Sequence, residues 1–592
     1  MAFRKAPLGT FLALCILGTS VQLVRANNLS KVKHVIVVVQ ENRTPDNLFN
    51  QDANLRANGG IVQPNAQNQA LACKEGGSAI TLTGTSLFTC WDTKHSHSPD
   101  WINMWNHGAM NGACDIVVKW HNDSPPWCPD YVPNCVTNGF RGTSTCSYTY
   151  VDNTNGVLDP YFYIADHFGW ANDMFQTNQG PSLPAHQFIF SGTSAPLGYS
   201  SPNPPLCPDG DNNSWECYKW FDAENVSLVG DASCIGDSGQ AARDVAPKPG
   251  SNNDEALAYT PPFPLNTPGF PCYEHATLTD LLNGAGISWR YYARHEGELW
   301  TAPAAIQHIC QTSGYGGHCQ GPDFIGGRTL PPRVELESYD PHDNSGDGAP
   351  ILTEIDNCTL PSVSWVIPDG NWSDHSGGPV ATKGDGGPSW VSAIINRVAL
   401  ATSCDSSVGG YWYDTVILVT WDDWGGYYDH VVPPNCGPLQ PCGYPGGTGF
   451  QYVYGFRVPL LVVGAYVKQS AQPPASYTGY ISNVNHDFGS ILNFIEYALA
   501  PSGTRLGGQF GIGGQNYPFA DFYAPDYDPV HWSTTYSLSD FFDFNQTALP
   551  PPSIPQGFYP PSCFHKPKPG GNQCFSTSSY PVDPDSDADE TD

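Results

Sequence analysis

The chain has 592 residues and a formal net charge of −31, with 25 Lys+Arg against 56 Asp+Glu. Only 14% of residues are charged, below the usual ~25%. Gly (61) and Pro (55) are too dense for a coiled coil, while 12% aromatic residues can build a core, which excludes a wholly disordered chain. The acidic field disfavours nucleic-acid partners, because it repels phosphate backbones. At roughly 150 residues per domain the length suggests about four domains, although large α/β enzymes place far more chain in one.

Residues 1–26 read as a secretory signal. Arg4 and Lys5 form a charged start, Phe11 to Val21 is mostly apolar, and Val24 and Ala26 suit cleavage before Asn27. The apolar run is shorter than the about 20 residues a membrane span needs, so no transmembrane segment is expected after signal removal. Cysteine usage agrees with export. Of 19 cysteines, Cys15 lies in the signal, and the even remainder fits an oxidising compartment. Close pairs such as Cys128/Cys135, Cys207/Cys217, Cys310/Cys319 and Cys436/Cys442 can staple local loops, but sequence does not determine the pairing. Sequons at Asn28, Asn122, Asn212, Asn225, Asn357 and Asn545 suit a secreted glycoprotein.

Buried parallel strands are expected at His34–Val39, Val363–Ile367, Val416–Thr420 and Pro459–Val463, which are apolar and rich in β-branched residues. Helical patterns lie at Trp101–Met110, Pro160–His167, Leu278–Leu282, Trp390–Leu400 and Phe488–Leu499, the last with Asp487 as N-cap. Strands alternating with helices argue for an α/β sheet covered on both faces. The Gly/Pro/Cys-rich stretches Asn50–Thr89, Asn122–Thr149, Ser200–Phe270 and His295–Pro350 read as insertions. The expected division is a signal (1–26), one catalytic domain (27–548), and a Pro-rich, acidic tail (549–592).

Ligands of open α/β sheets bind at the carboxyl ends of strands. There the sequence places Gln40, Glu41 and Asn42 after the first strand, Asp422 and Asp423 after Val416–Trp421, and Asp369, Asp374 and His375 after Val363–Pro368. If these strands are parallel neighbours, three polar clusters converge on one rim. Oxygen-rich donors suit one hard divalent cation, Ca²⁺, Mg²⁺ or Mn²⁺, with Zn²⁺ admissible if a histidine joins. Taken singly, acids after a strand are more often turn formers or caps. Ser182, in Gln179-Gly180-Pro181-Ser182, is placed to begin a helix, where its hydroxyl would meet the positive dipole end. The nucleophile elbow GxSxG is not formed at Ser182, and P-loop, HExxH and CxxC zinc patterns are absent from the sequence.

These motifs resemble the phosphoesterase family of the alkaline-phosphatase superfamily, which holds non-haemolytic phospholipases C and related acid phosphatases. The similarity begins at Lys33–Phe49 (KHVIVVVQENRTPDNLF). It continues through Asp92–Asp115, Pro160–Ser194, Val363–Pro379, Val416–Pro434 (VILVTWDDWGGYYDHVVPP) and Asn485–Glu496. The resemblance implies an alkaline-phosphatase-like α/β fold: a central, mostly parallel sheet with helices on both faces and long disulfide-bonded loop insertions. It implies Glu41, Asn42, Asp422 and Asp423 as metal ligands, Ser182 as nucleophile, and His95, His375 and His486 as histidines of the phosphate site. His186 and Asp374 are taken as substrate contacts. The implied activity is that of a secreted, metal-dependent phosphoric-ester hydrolase acting through a phosphoseryl intermediate on a phospholipid or a small phosphomonoester. A secreted glycoside hydrolase is the weaker alternative, since adjacent Asp422 and Asp423 would not flank a glycosidic bond. A non-catalytic disulfide-rich glycoprotein is the other.

Overall fold

A computed structural model describes residues 29–564, apart from residues 121–143, 194–233, 235–274, 337–349, 435–453, 509–518 and 525–536 and shorter stretches between them. The expected signal, the acidic end of the tail, the sequons at Asn28, Asn122, Asn212 and Asn225, and the pairs Cys128/Cys135, Cys207/Cys217 and Cys436/Cys442 lie outside the described residues.

One eight-stranded sheet organises the chain. Its strands are β1 (His34–Gln40), β2 (Gly169–Ala171), β3 (Trp289–Ala293), β4 (Val334–Leu336), β5 (Val363–Val366), β6 (Thr415–Trp421), β7 (Leu460–Gly464) and β8 (Tyr480–Ser482). Across the sheet they run β4-β3-β5-β1-β6-β7-β2-β8. β1, with five consecutive apolar residues, sits centrally, with β5 and β6 as parallel neighbours. Five residues of β1 (Val35–Val39), and Val363, Trp365, Val366, Ile417, Leu418 and Val419 beside them, are almost wholly buried. Continuous β-branched runs are what a strand covered on both faces requires.

The register shows that both faces are covered. Trp365 pairs with Val37, and Trp421 pairs with Gln40. Positions 37 and 40 are an odd number apart, so the two tryptophans leave opposite faces. Trp365 packs edge-on against Phe190 of the helix Ser182–Ser191, and its Nε1 donates to Ile189 O at 3.1 Å. Trp421 packs edge-on against Tyr161 of the helix Asp159–His167.

The expected helices are present as Asp159–His167, Leu278–Gly284, Gly387–Leu400 and Phe488–Ala498. Asp487 caps the last of these, its carboxylate accepting from Ser490 N while Ser490 Oγ accepts from Asp487 N. The Cys310–Cys319 bridge forms as an expected local staple, and Cys73–Cys114 and Cys358–Cys404 add two longer ones.

Two expectations are corrected. The strand near Pro459–Val463 is not parallel. It is β7, antiparallel to both β6 and β2. A fully buried apolar run carries no direction, and here the chain enters the sheet at the rim where β6 ends. The helix expected at Trp101–Met110 is α-helical only over Ile102–Trp105. It breaks at Asn106 and His107, which take left-handed backbone angles, as the aromatic stack of Trp101, Trp105 and Phe456 claims the side chains.

Truncating Leu418→Ala, in fully buried β6 between Val37 and Val462, should cost about 2–5 kcal/mol. The measurement is the denaturant midpoint with disulfides intact. An unchanged midpoint would contradict its place in the centre of the core.

Candidate active site

The ladder between β1 and β6 does not stop at the strand ends. Asp422 N donates to Gln40 O, Asn42 N to Asp422 Oδ1 at 2.9 Å, and Arg43 N to Asp423 O at 3.0 Å. The two loops thus leave the sheet side by side. Asn42 takes a left-handed conformation (φ 59), which asparagine tolerates better than most residues. The facing Gly425 (φ +59) lies so close that a Cβ there would sit 2.4 Å from Asn42 O. A Cβ on Gly426 would meet Lys94 O at 2.6 Å, so the same turn draws in the segment carrying His95.

The result is a cluster of buried polar groups at the carboxyl edge of the sheet. Glu41, Asn42, His95, Ser182, His186, Asp422 and Asp423 are each at most 1% exposed. Ser182, the first residue of its ten-residue helix, donates from Oγ to Asp423 Oδ2 at 3.0 Å and lies 3.4 Å from Asn42 Oδ1. His186, one helical turn on, points the same way. Its Nε2 is 3.2 Å from Glu41 Oε1 and 3.5 Å from Asp422 Oδ2.

The His95 hydrogen bonds define its tautomer. Nδ1 faces the carbonyl of Thr93 at 2.8 Å, which can only accept, so Nδ1 carries the proton. Nε2 is then an acceptor, filled by Asn42 Nδ2 at 3.2 Å. This turns Asn42 Oδ1 towards Ser182. His95 Nε2 also stands 3.8 Å from Asp423 Oδ2.

Glu41, His186 and Asp422 offer one ligand atom each, all within 4.8 Å of one another. Asp422 Oδ1 accepts two backbone N–H groups, from Asn42 and Asp423, whereas among the described residues Oδ2 takes no well-formed hydrogen bond. Burial pushes the Asp422 carboxyl up, but His186, Glu41 and Ser182 beside it outweigh burial and bring it down to about 2. Buried acidic and histidine groups of this kind can hold a metal ion. The donor set of carboxylate oxygens and one imidazole fits a divalent cation.

The structure therefore joins seven of the expected site residues. His186, expected as a substrate contact, falls among the candidate metal ligands. Asn42 and Asp423, expected as ligands, also hold the Ser182 hydroxyl. The other three meet further groups. His375 has Nδ1 on Ser376 O, and its ring lies 6.0 Å from that of Trp300. His486 Nε2 is 3.3 Å from Asp540 and 3.4 Å from Ser482 Oγ. Asp374 is fully buried and accepts from Tyr161 Oη at 2.9 Å and Trp421 Nε1 at 3.0 Å. Both partners belong to the face opposite the Ser182 helix, so these contacts turn the carboxylate of Asp374 into the packing of that face.

Two buried arginines gave no separate functional signal in the sequence. Arg43 ties the rim together, donating to Asp374 O, Leu87 O and Asn47 Oδ1 while stacking over Tyr427. Arg457 is the other. A cation directly after a strand-end Glu-Asn pair is the only trace Arg43 leaves in the sequence.

Ser182 thus stands at a helix start facing clustered carboxylates, above a mostly parallel sheet. The family model described as the Phosphoesterase family matches residues 32–499, and the chain belongs to that family. It is 24% identical over 465 residues to "Phospholipase C B" of Mycobacterium tuberculosis, covering 74% of this chain and 69% of that protein. It is 22% identical to "Hemolytic phospholipase C" of Pseudomonas aeruginosa, over 80% of this chain and 53% of that protein. With "Non-hemolytic phospholipase C" of the same organism it is 20% identical over 92% of this chain and 66% of that protein. The chain thus spans between about half and two thirds of these relatives' lengths. Family membership removes the glycoside hydrolase and non-catalytic readings.

Asp374 carries a pH signature. Burial raises its carboxyl to about 6 from 3.8, although Arg43, Tyr161 and Trp421 pull it down. A raised carboxyl favours the protonated fold, so its contribution to stability is full below pH 3.8 and is lost as pH rises through 6. The stability of Asp374→Asn relative to the wild-type protein should therefore improve between pH 4 and pH 6 and level off above. A pH-independent difference, combined with a raised KM, would instead return Asp374 to the substrate.

Proposed function

We propose that the protein is a secreted, metal-dependent phosphoric-ester hydrolase with Ser182 as nucleophile. The observation that carries this reading is the Ser182 Oγ–Asp423 Oδ2 hydrogen bond at 3.0 Å, beside the Glu41–His186–Asp422 cluster.

In this reading Asp423 Oδ2 takes the Ser182 proton as Oγ attacks phosphorus and the ester P–O bond breaks, releasing the alcohol; water then hydrolyses the phosphoseryl intermediate and restores Ser182. Its second oxygen is held by Gly425 N, which keeps the carboxylate oriented. Asn42, locked by His95 through its amide N–H, holds the hydroxyl from the other side. The N-terminal end of the Ser182–Ser191 helix points its dipole at the arriving phosphoryl oxygens. Glu41, Asp422 and His186 would hold the divalent ion, with Asn42 and Asp423 as further donors. When bound, that ion supplies the positive charge that neutralises phosphoryl oxygens and favours ionised Ser182. The same charge answers the net −31, because the local field, not the total, meets the anionic substrate. Of His95 and His375, the candidates for protonating the leaving alkoxide, His95 Nε2 already accepts from Asn42, which favours His375.

Two substrate classes are supported by different observations. The relatives carry phospholipase C names, which favours a phospholipid diester. The resemblance to the acid phosphatases of the family, with serine implied as the nucleophile at 182, favours a phosphomonoester. Export is supported by the pattern of residues 1–26, by the disulfides, and by exposed sequon asparagines at Asn357 and Asn545.

Hydrolysis of p-nitrophenyl phosphate and p-nitrophenyl phosphorylcholine, with and without EDTA, tests the reading. Activity on one substrate should be lost with EDTA and return with a divalent ion. Ser182→Ala should lower kcat by at least about 10³-fold with metal content near normal. A fully active Ser182→Ala variant would remove the serine from the mechanism, and EDTA-insensitive turnover would remove the metal.

A further inference from the structure

A second cluster, Asp46, Asp429 and His430, also presents ligand atoms within 4.8 Å of one another. It is already filled by a side chain. Arg457, fully buried, donates from Nε to Asp429 Oδ1 and from Nη2 to Asp429 Oδ2, both at 2.9 Å, and Nη2 also reaches Asp46 Oδ1 at 3.4 Å. Its Nη1 donates to Ile61 O at 2.9 Å and Asn172 O at 2.7 Å. All five guanidinium N–H groups are thereby used. The remaining oxygen, Asp46 Oδ2, accepts from His430 N at 3.0 Å and lies 2.6 Å from His430 Nδ1. Every carboxylate oxygen of the cluster has a donor, so the guanidinium stands where a cation would.

Its position gives it a consequence at the active site. Asp46 lies four residues beyond Asn42, and Asp429 six beyond Asp423. The two segments run together all the way, joined by Arg43 N to Asp423 O and by Thr44 Oγ1 to Tyr428 O. The candidate ligands Glu41, Asn42, Asp422 and Asp423 sit at the sheet end of this paired strap, and the Asp46–Arg457–Asp429 bridge closes its far end. Arg457 itself is anchored from a third direction, because β7 is antiparallel and enters the sheet at Leu460, opposite Thr420 at the end of β6.

We propose that Arg457 is a positioning residue: by bridging Asp46 and Asp429 it fixes the spacing of the two ligand loops and so sets the affinity of the Glu41–His186–Asp422 site for its divalent ion. This rests on the metal-dependent reading above. A neutral side chain at 457 leaves two facing carboxylates that repel and push the loops apart. A lysine keeps the charge but, as a point charge, cannot engage both carboxylates and both carbonyls.

The test is the affinity of the EDTA-stripped, full-length protein for Mn²⁺ and, separately, Ca²⁺, by titration calorimetry. Arg457→Met should weaken binding about tenfold or more while circular dichroism shows a native fold, with Arg457→Lys in between. If Arg457→Met does not fold, Asp429→Asn, which keeps side-chain volume and loses one charge of the bridge, should show the same loss. A folded variant with a lowered melting temperature but unchanged affinity for whichever ion the wild-type protein binds would overturn the positioning role. Wild-type protein that binds neither ion, nor Mg²⁺ or Zn²⁺ in the same titration, would overturn the metal reading and this inference with it, and that outcome is visible before any variant is made.

Discussion

Three carboxylates, those of Glu41, Asp422 and Asp423, are buried together at the end of the central strands, and this grouping constrains everything around it. Like charges out of water repel strongly and resist ionisation unless compensating charge or hydrogen bonds are supplied. The fold supplies backbone N–H groups from Asn42, Asp423 and Gly425, the His186 ring, the Ser182 hydroxyl, and a helix N-terminus. Those partners come from the β1 loop, the β6 loop and the Ser182 helix. The cluster therefore exists only when all three are docked, and its buried carboxylates and imidazole can hold a metal ion.

The sheet provides the rigidity such a grouping requires. β1 lies between β5 and β6, buried on both faces, so the loops that follow start from fixed points a single strand spacing apart. Their paired backbones then carry that spacing outward, past Gly425 and Gly426, to the buried arginine bridge. Acids that look redundant in composition have separate places: Asp422 and Asp423 in the Ser182 cluster, Asp46 and Asp429 in the strap, and Asp374 between the sheet and the Asp159–His167 helix.

Much of this was legible before the fold was known. Val35–Val39 and Val416–Val419 announce buried strands by their unbroken apolar, mostly β-branched character, and Asp487 announces its helix by capping chemistry. That Glu41, Asn42, Asp422 and Asp423 follow strands was visible, and so was Ser182 at a helix start. What escaped was anything set by partners distant along the chain. The direction of β7 is invisible in LLVVG, because such a run is equally apolar read either way. His186 looked like a substrate contact, since only the docking of its helix shows that it faces Glu41 and Asp422. Asp374 looked like a rim acid, since only the register reveals that Tyr161 and Trp421 claim it from the opposite face.

The sequence by itself determined the α/β class and the main strands and helices, because these follow from local periodicity, and its motifs carried the resemblance to the phosphoesterase family, because they are contiguous in the chain. The tertiary structure decided which of those residues meet. It joined Ser182 to Asp423 across 241 positions and filled the Asp46–Asp429 pair with Arg457 rather than a metal. Distances between segments remote in sequence are outcomes of packing and register, and local pattern does not contain them.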